Sequence, residues 1–309
     1  MLVKAEWQRR FLAPQFWLLW LSVGVLRLLV WLPLPVQCWL GKGLGRLFGW
    51  LQPKRVQVIE RNIARCYPEL SAAEQQRLVR QNLDEVGMAV FDTGNAWYWS
   101  DARVQGHMEI SGLEHIEAAQ AAGQGVLLLA AHCLMLEPGA RVFGQCAQGV
   151  GVYRPNKNPL FEYLQVQGRL RSNKGLIQKQ DVRAMVKALR QGEILWYTQD
   201  QDAGPRGVFV DFFGIKCATV AGAPALAKLG RAQVMPFFVE RKADASGYRV
   251  VIQAPLTDFP SGDELADVQR GNEATEALVR MRPEQYMWLH RRFKTDPNGG
   301  TKNHFYQSE

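Results

Sequence analysis

The sequence predicts an α/β fold built on a mixed, largely parallel central sheet flanked by helices, and three observations predict it. From about residue 110 onward, short apolar runs alternate with stretches of helical periodicity. One of those runs, 126–131 (VLLLAA), carries no polar side chain and is opened by Gly123 and Gly125, which suits a strand buried on both faces. Two later runs, 234–241 and 248–254, are separated by the polar turn 243–247 and read as an antiparallel pair, so the sheet is mixed.

Residues 1–52 read as a membrane-associating hydrophobic segment. Residues 16–34 are nineteen in a row with only Arg27 charged, long enough to cross a bilayer core. Lys4, Arg9 and Arg10 flank one end and Lys42, Arg46, Lys54 and Arg55 the other, so charge asymmetry sets no orientation. A segment dipping into one leaflet, with Arg27 snorkelling and Trp17, Trp20, Trp31, Trp39 and Trp50 at the interface, satisfies both flanks. Pro33 and Pro35 follow without a small-residue cleavage site, which argues against a removable signal peptide. Val56, Ile59, Ile63 and Cys66 keep helical spacing up to Pro68, and Ser71 with Glu74 forms a capping box for a helix to about Trp99.

Within the main domain, 53–295, segment 113–122 is helical and 126–131 a strand. A helix over 134–145, a strand over 149–154, and a helix opened by Asn158 and Pro159 follow. Asp181 caps 182–190, Gly192 closes it, and 194–198 is the next strand. A short strand over 208–213 and a helix over 220–229 lead to the antiparallel pair. A second capping box, Ser261 with Glu264, opens a helix to about Arg280, and 296–309 is a polar, frayed tail.

Chemistry concentrates where strand 126–131 ends. His132 follows it directly, at the edge where open α/β sheets bind ligands. Glu137 stands five residues on, about 140° away on a continuous helix. The two meet only if His132 ends the strand and Glu137 lies in the first turn of the next helix, an entry Pro138 favours. A carboxylate on one ring nitrogen would leave the other free to take a proton from a hydroxyl. The alternative from spacing alone is a core histidine beside a helix-entry acid placed by the dipole. Gln199 to Asp202 lie at the same sheet edge, and Asp200 and Asp202 suit hydrogen bonds to sugar hydroxyls or pairing with arginines.

The formal net charge is +8. Windows 154–174 and 280–294 each hold five basic residues and one acid, accounting for the whole excess. Such clustering reads as anion recognition: Arg154, Arg171 and Lys174 from the first window, His290, Arg291, Arg292 and Lys294 from the second. No helix-turn-helix, zinc-finger or RNP-like pattern is present, which disfavours nucleic acid and leaves phosphorylated small molecules or lipid headgroups. The five cysteines are scattered without C-x-x-C spacing, as in reduced proteins without structural zinc. Cys133, adjacent to His132, points to the opposite face of the strand end and suits a small buried hydrophobe better than a nucleophile. His107, His115 and His304 sit in polar surroundings and are expected at the surface. No cofactor loop or metal spacing is visible.

The stretches HCLMLEPGAR (132–141), GVYRPNKNPL (151–160), GRLRSNK (168–174), FVDFFG (209–214) and PEQYMWLHRRFKT (283–295) resemble the late acyltransferases of lipid A biosynthesis, most closely their lauroyltransferase branch. The resemblance covers almost the whole chain. It implies a glycerolipid-acyltransferase-like fold behind an N-terminal hydrophobic membrane helix. It further implies an enzyme at the cytoplasmic face of the bacterial inner membrane. The acyl donor would be acyl carrier protein and the acceptor a 3-hydroxyacyl chain of the Kdo-bearing lipid A precursor. It puts the base at His132, its carboxylate partner at Glu137 and an essential arginine at Arg169. Pro138 and Asp211 depart from the family pattern, the latter standing where proline is expected. Acyl transfer from an already activated thioester needs no serine or cysteine nucleophile, so no acyl-enzyme is expected. Other glycolipid or lysophospholipid acceptors, a Cys133–His132 thioesterase, and a non-catalytic anionic-lipid binder are the alternatives.

Overall fold

Residues 3, 4, 6–298 and 304–306 are described by the computed structural model. The helical N-terminal part comprises α1 (Trp17–Leu29), α2 (Leu34–Leu51), α3 (Pro53–Cys66), α4 (Ala72–Tyr98) and α5 (Asp101–Gln105). The sheet region continues with β1 (Met108–Ser111), α6 (Leu113–Ala121), β2 (Gly125–Ala130), α7 (Leu136–Phe143), β3 (Gly149–Tyr153) and α8 (Pro159–Leu170). It is completed by β4 (Asn173–Gln178), α9 (Val182–Arg190), β5 (Ile194–Tyr197), β6 (Val208–Phe212), β7 (Ile215–Thr219), α10 (Gly222–Gly230), β8 (Ala232–Arg241), β9 (Tyr248–Ile252) and α11 (Glu264–Met281).

Among the described residues seven strands form one sheet in the order β1-β9-β8-β2-β5-β3-β4. All neighbours are parallel except β8 and β9, which gives the mixed, largely parallel sheet the pattern predicts. The all-apolar run becomes β2, buried at every position and held between β8 and β5. Its side chains enter the core on both faces, Val126 and Leu128 on one and Leu127 and Leu129 on the other.

The helix starts follow local chemistry. Ser71 and Glu74 form the reciprocal capping box, Asn158 caps α8 with Pro159 in its first turn, and Asp181 caps α9 through the Ala184 N–H. The expected box at Ser261 is corrected: Asp263 caps α11, accepting from the Ala266 N–H, while Ser261 Oγ accepts from the Asp263 N–H. Three strands escaped the sequence reading. β1 and β4 lie at the two edges of the sheet, and β7 pairs with β6 in a separate hairpin; all three are short.

The nineteen-residue apolar run is not one helix. α1 has 13 residues, about 20 Å at 1.5 Å per residue against a bilayer core of about 30 Å. Among the described residues no helix is long and apolar enough to cross a membrane. The break is built by side chains that take the backbone carbonyls at its end. Gln37 Nε2 donates to Val30 and Leu32 at 3.0 and 2.8 Å, Trp99 Nε1 to Val30 at 2.7 Å, and Arg103 to Leu32 at 2.8 Å. The chain then turns into α2, which lies against α4 through glycines: a Cβ on Gly45 would fall 2.0 Å from the Leu83 carbonyl oxygen. The outward face of α1 and α2 and of the turn between them keeps Trp17, Leu18, Leu28, Trp31, Trp39 and Trp50 exposed.

Within the tail, the described residues 304–306 pack back onto the domain. Phe305 lies 4.7 Å from the Phe293 ring, and Tyr306 donates its hydroxyl to Asn62 at 2.7 Å. The side chain of His304, and residues 299–303 and 307–309, lie outside the described residues.

Candidate active site

β2 and β5 are parallel neighbours in a fixed register, Leu129 opposite Tyr197. Three residues further along each chain come His132 and Asp200, so the register that pairs the strands also brings these two side chains to one level at the carboxyl edge. The imidazole Nδ1 is 2.6 Å from Asp200 Oδ1, and the His132 backbone N–H donates to Asp200 Oδ2 at 2.8 Å. Both carboxylate oxygens are therefore occupied by one residue, which fixes ring position and tautomer together. On the far side of the ring, Thr198 Oγ1 lies 3.1 Å from Nε2. The Asp200 side chain has no solvent exposure, whereas that of His132 is 23% exposed.

Burial alone would raise the Asp200 carboxyl. The His132 imidazole, the His132 backbone N–H and the Tyr286 hydroxyl outweigh it and hold the group down at about 2. The segment supplying Tyr286 is sewn to the His132 loop by main-chain contacts. Leu134 N–H donates to Gln285 at 2.8 Å, Met287 N–H donates to the His132 carbonyl at 3.2 Å, and Cys133 bridges Tyr286.

The expected His132–Glu137 pair does not form. Glu137 does lie in the first turn of α7, but Arg169 Nε and Nη2 reach its Oε1 at 2.8 and 2.5 Å, and Trp97 Nε1 donates to its Oε2 at 2.9 Å. A two-pronged guanidinium and an indole N–H already satisfy this carboxylate, while Asp200 takes its place on the ring. Gly168 permits the arrangement, since a Cβ there would fall 2.4 Å from the Trp97 ring. Glu137 and Arg169 are thus a pair, both partly exposed.

Several of the expected anion contacts have partners within the protein. Arg171 donates to the carbonyls of Trp97 and Trp99, the latter at 2.8 Å, and so caps the C-terminus of α4, whose last carbonyls lack helical partners. Lys174 stands at the start of β4 and pairs with Glu193, just before β5, at the edge of the sheet opposite His132. Arg292 is buried, donating to the Ala218 carbonyl at 2.6 Å and to Thr219 Oγ1 at 2.5 Å. At His290, burial, and next the nearby His132, lower the pKa and so disfavour the cation, and among the described residues its buried Nε2 has no hydrogen-bond partner. Asp202 accepts from the Thr295 N–H and hydroxyl at 3.0 and 2.8 Å. Arg154, past the end of β3, and Arg291 remain exposed. His107, expected at the surface, is half-buried, its Nδ1 2.9 Å from the Arg103 carbonyl.

Burial pushes the Cys133 thiol up to about 12, which deprives a thiolate mechanism of its nucleophile at neutral pH. Thr198 and Tyr286 were not singled out from the sequence. Thr198 closes the predicted strand 194–198 one residue from the noted acidic run, a position that could have flagged it.

The arrangement has what a hydroxyl-activating base requires: a partly exposed imidazole oriented by a buried carboxylate at the crevice of a largely parallel sheet. Residues 4–295 match the family described as bacterial lipid A biosynthesis acyltransferase. The chain is 45% identical over 290 residues to the lipid A biosynthesis lauroyltransferase of Escherichia coli, covering 93% of this chain and 95% of that one. It is 38% identical over 301 residues to the palmitoleoyltransferase of the same organism, covering 97% and 98%. To the myristoyltransferase it is 28% identical, covering 95% and 92%, so the similarity favours the lauroyltransferase branch. With the match running almost end to end, the chain belongs to the bacterial lipid A biosynthesis acyltransferase family and is an acyltransferase.

Proposed function

We propose that this enzyme moves a fatty acyl chain of about lauroyl length from acyl carrier protein to the hydroxyl of a 3-hydroxyacyl chain on the Kdo-bearing lipid A precursor. The observation that carries the mechanism is the 2.6 Å contact between His132 Nδ1 and Asp200. With Nδ1–H held by the carboxylate, Nε2 is the acceptor. It takes the proton of the acceptor hydroxyl as that oxygen bonds to the thioester carbonyl carbon; the C–S bond then breaks and the imidazolium returns the proton to sulfur. Asp200 stabilises the imidazolium in between. Arg169, held by Glu137, supplies positive charge for the developing oxyanion or an acceptor phosphate. Exposed Arg154 and Arg291 suit phosphate or Kdo carboxylate groups.

The same reading places the enzyme on the cytoplasmic leaflet of the bacterial inner membrane without crossing it. What supports this is the exposed apolar face of α1 and α2, with Trp17, Trp31, Trp39 and Trp50 solvent-facing and Lys42, Arg46 and Arg27 exposed among them.

Purified protein with lauroyl-acyl carrier protein and Kdo-lipid A precursor tests the reading. His132→Ala should lower turnover by a factor on the order of 100 or more, and wild-type rates from that variant would end it. A panel of glycolipid and lysophospholipid acceptors identifies the acceptor, and mass spectrometry of the product gives the chain and position.

A further inference from the structure

The one nitrogen that the proposed chemistry needs free is occupied. Thr198 Oγ1 lies 3.1 Å from His132 Nε2. With Nδ1–H committed to Asp200, Nε2 of the neutral ring carries the lone pair and the threonine hydroxyl is then the donor. The contact is built by the sheet: Thr198 is the residue after β5, whose parallel neighbour β2 leads to His132. Thr198 is only partly buried, and the His132 side chain is 23% exposed, so solvent and threonine approach the same ring.

We infer that Thr198 is a specificity-determining residue whose hydroxyl caps the base in the resting site, denies it to water, and yields it to the hydroxyl of a bound acceptor. The inference rests on the acyl-transfer reading of His132. The reaction it suppresses is hydrolysis: a water oxygen bonds to the thioester carbonyl carbon, its proton passes to Nε2, the C–S bond breaks, and the imidazolium protonates the sulfur. The products are a free fatty acid and a thiol. Water and lipid hydroxyl compete with Thr198 for one lone pair, so the cap raises the barrier to both. They differ in what stands behind them. A bound acceptor is held by headgroup and chains remote from the reacting hydroxyl, which gives that hydroxyl a high effective concentration at the base and binding energy to displace the threonine. A water molecule has no such hold. Displacement requires only that Thr198 turn about χ1 to another staggered position.

A hydroxyl on an imidazole that is itself held by a carboxylate is also the arrangement of a covalent nucleophile, and the test separates the two. The purified full chain is assayed with lauroyl-acyl carrier protein, measuring free fatty acid without acceptor and acylated product with Kdo-lipid. Thr198→Val keeps the shape and removes the donor; Thr198→Ala is the second variant should valine fail to fold, and Thr198→Ser retains a hydroxyl. Acceptor-independent hydrolysis should rise about three- to tenfold in the valine or alanine variant, the range one neutral hydrogen bond commands, and return toward wild type in the serine variant. Unchanged or reduced hydrolysis overturns the proposal. So does an acyl adduct on the wild-type protein that Thr198→Val abolishes, which would make the threonine a nucleophile. His132→Ala run alongside reports on the parent reading: loss of both reactions upholds it, and persistent transfer refutes it whatever Thr198 does.

Discussion

Two of the buried carboxylate centres in this molecule lie under nearly equal exclusion of water and have their pKa values moved in opposite directions. Asp200 is wholly enclosed at the carboxyl edge of the sheet, yet its pKa is held at about 2. Glu85, on α4 and facing Arg241 of β8, is pushed up to about 7 by burial. The difference lies in donors per carboxylate. Asp200 alone receives a ring N–H, a backbone N–H and the Tyr286 hydroxyl. Glu85 shares the single Arg241 guanidinium with Asp92, which also takes the Tyr248 hydroxyl at 2.6 Å. The partners differ too: His132 opens to solvent at 23%, while Arg241 is closed at 6%. A pair with one solvent-facing member can exchange a proton with an incoming molecule, whereas a closed cluster can only hold elements together.

The largest effects should fall on different observables at the two centres. Asp200→Asn keeps shape but removes the charge that fixes the tautomer and supports the imidazolium, so kcat should fall by about 10² to 10⁴ in steady-state assays while the protein still melts cooperatively. Arg241→Met leaves two buried carboxylates without a cation, and the unfolding free energy should drop by about 3–5 kcal/mol in denaturant titrations. If Asp200→Asn instead unfolded the protein and Arg241→Met left stability untouched, the contrast between a working and a holding centre would be broken.

The arginines sharpen it at smaller magnitude. Arg292 supplies donors to the Ala218 carbonyl and to Thr219 Oγ1 in the interior. Arg292→Ala should cost about 1–3 kcal/mol of stability through unsatisfied groups. Arg291, one residue earlier, lies exposed beside the Tyr306 ring at 5.7 Å. Its alanine variant should leave the melting temperature in place and raise KM for the anionic acceptor, less so at high salt. Equal stability losses at both positions would show that exposure does not separate their roles.

Adjacent arginines with opposite fates show where sequence reading stops. The sheet was legible because β2 has no polar residue, and both His132 and the 199–202 run were assigned to one edge because both follow apolar strands. What could not be read was that β2 and β5 are neighbours. β3 and β4 intervene in the chain, and only pairing in space brings Asp200 to His132. Glu137 was the nearer carboxylate in sequence and took the assignment, although Arg169, 32 residues away, and Trp97, 40 residues away, claim it. Charge counting failed for a related reason. A window counts cations without their partners, and Arg169, Arg171, Lys174, Arg282 and Arg292 each have an acceptor within the protein, Arg292 alone among them in the interior. The starts at Ser71, Asn158 and Asp181 were read correctly because side chain and target lie within one turn, the one at Ser261 was placed two residues early because Asp263 offers the same chemistry, and the break after α1 was missed because Trp99 and Arg103, which help to make it, are some seventy residues away.

The smallest predicted effect tests the closed centre from its pH dependence. The Glu85–Arg241 contact favours a charged carboxyl, while burial and the nearby Asp92 oppose it. With one guanidinium for two carboxylates, burial prevails at Glu85. A carboxyl whose pKa is higher in the folded than in the unfolded chain stabilises the fold while protonated. That contribution is full below the ordinary value of 4.5 and is lost as pH rises through about 7. Unfolding free energy should therefore decline by about 1–2 kcal/mol between pH 6 and pH 8 on account of this group. Glu85→Gln, neutral at every pH, should flatten that slope in denaturant titrations at the two pH values. A wild-type protein that instead gained stability over the range, with the gain absent in Glu85→Gln, would mean that Glu85 is ionised against Arg241. The two centres would then differ only in their access to solvent.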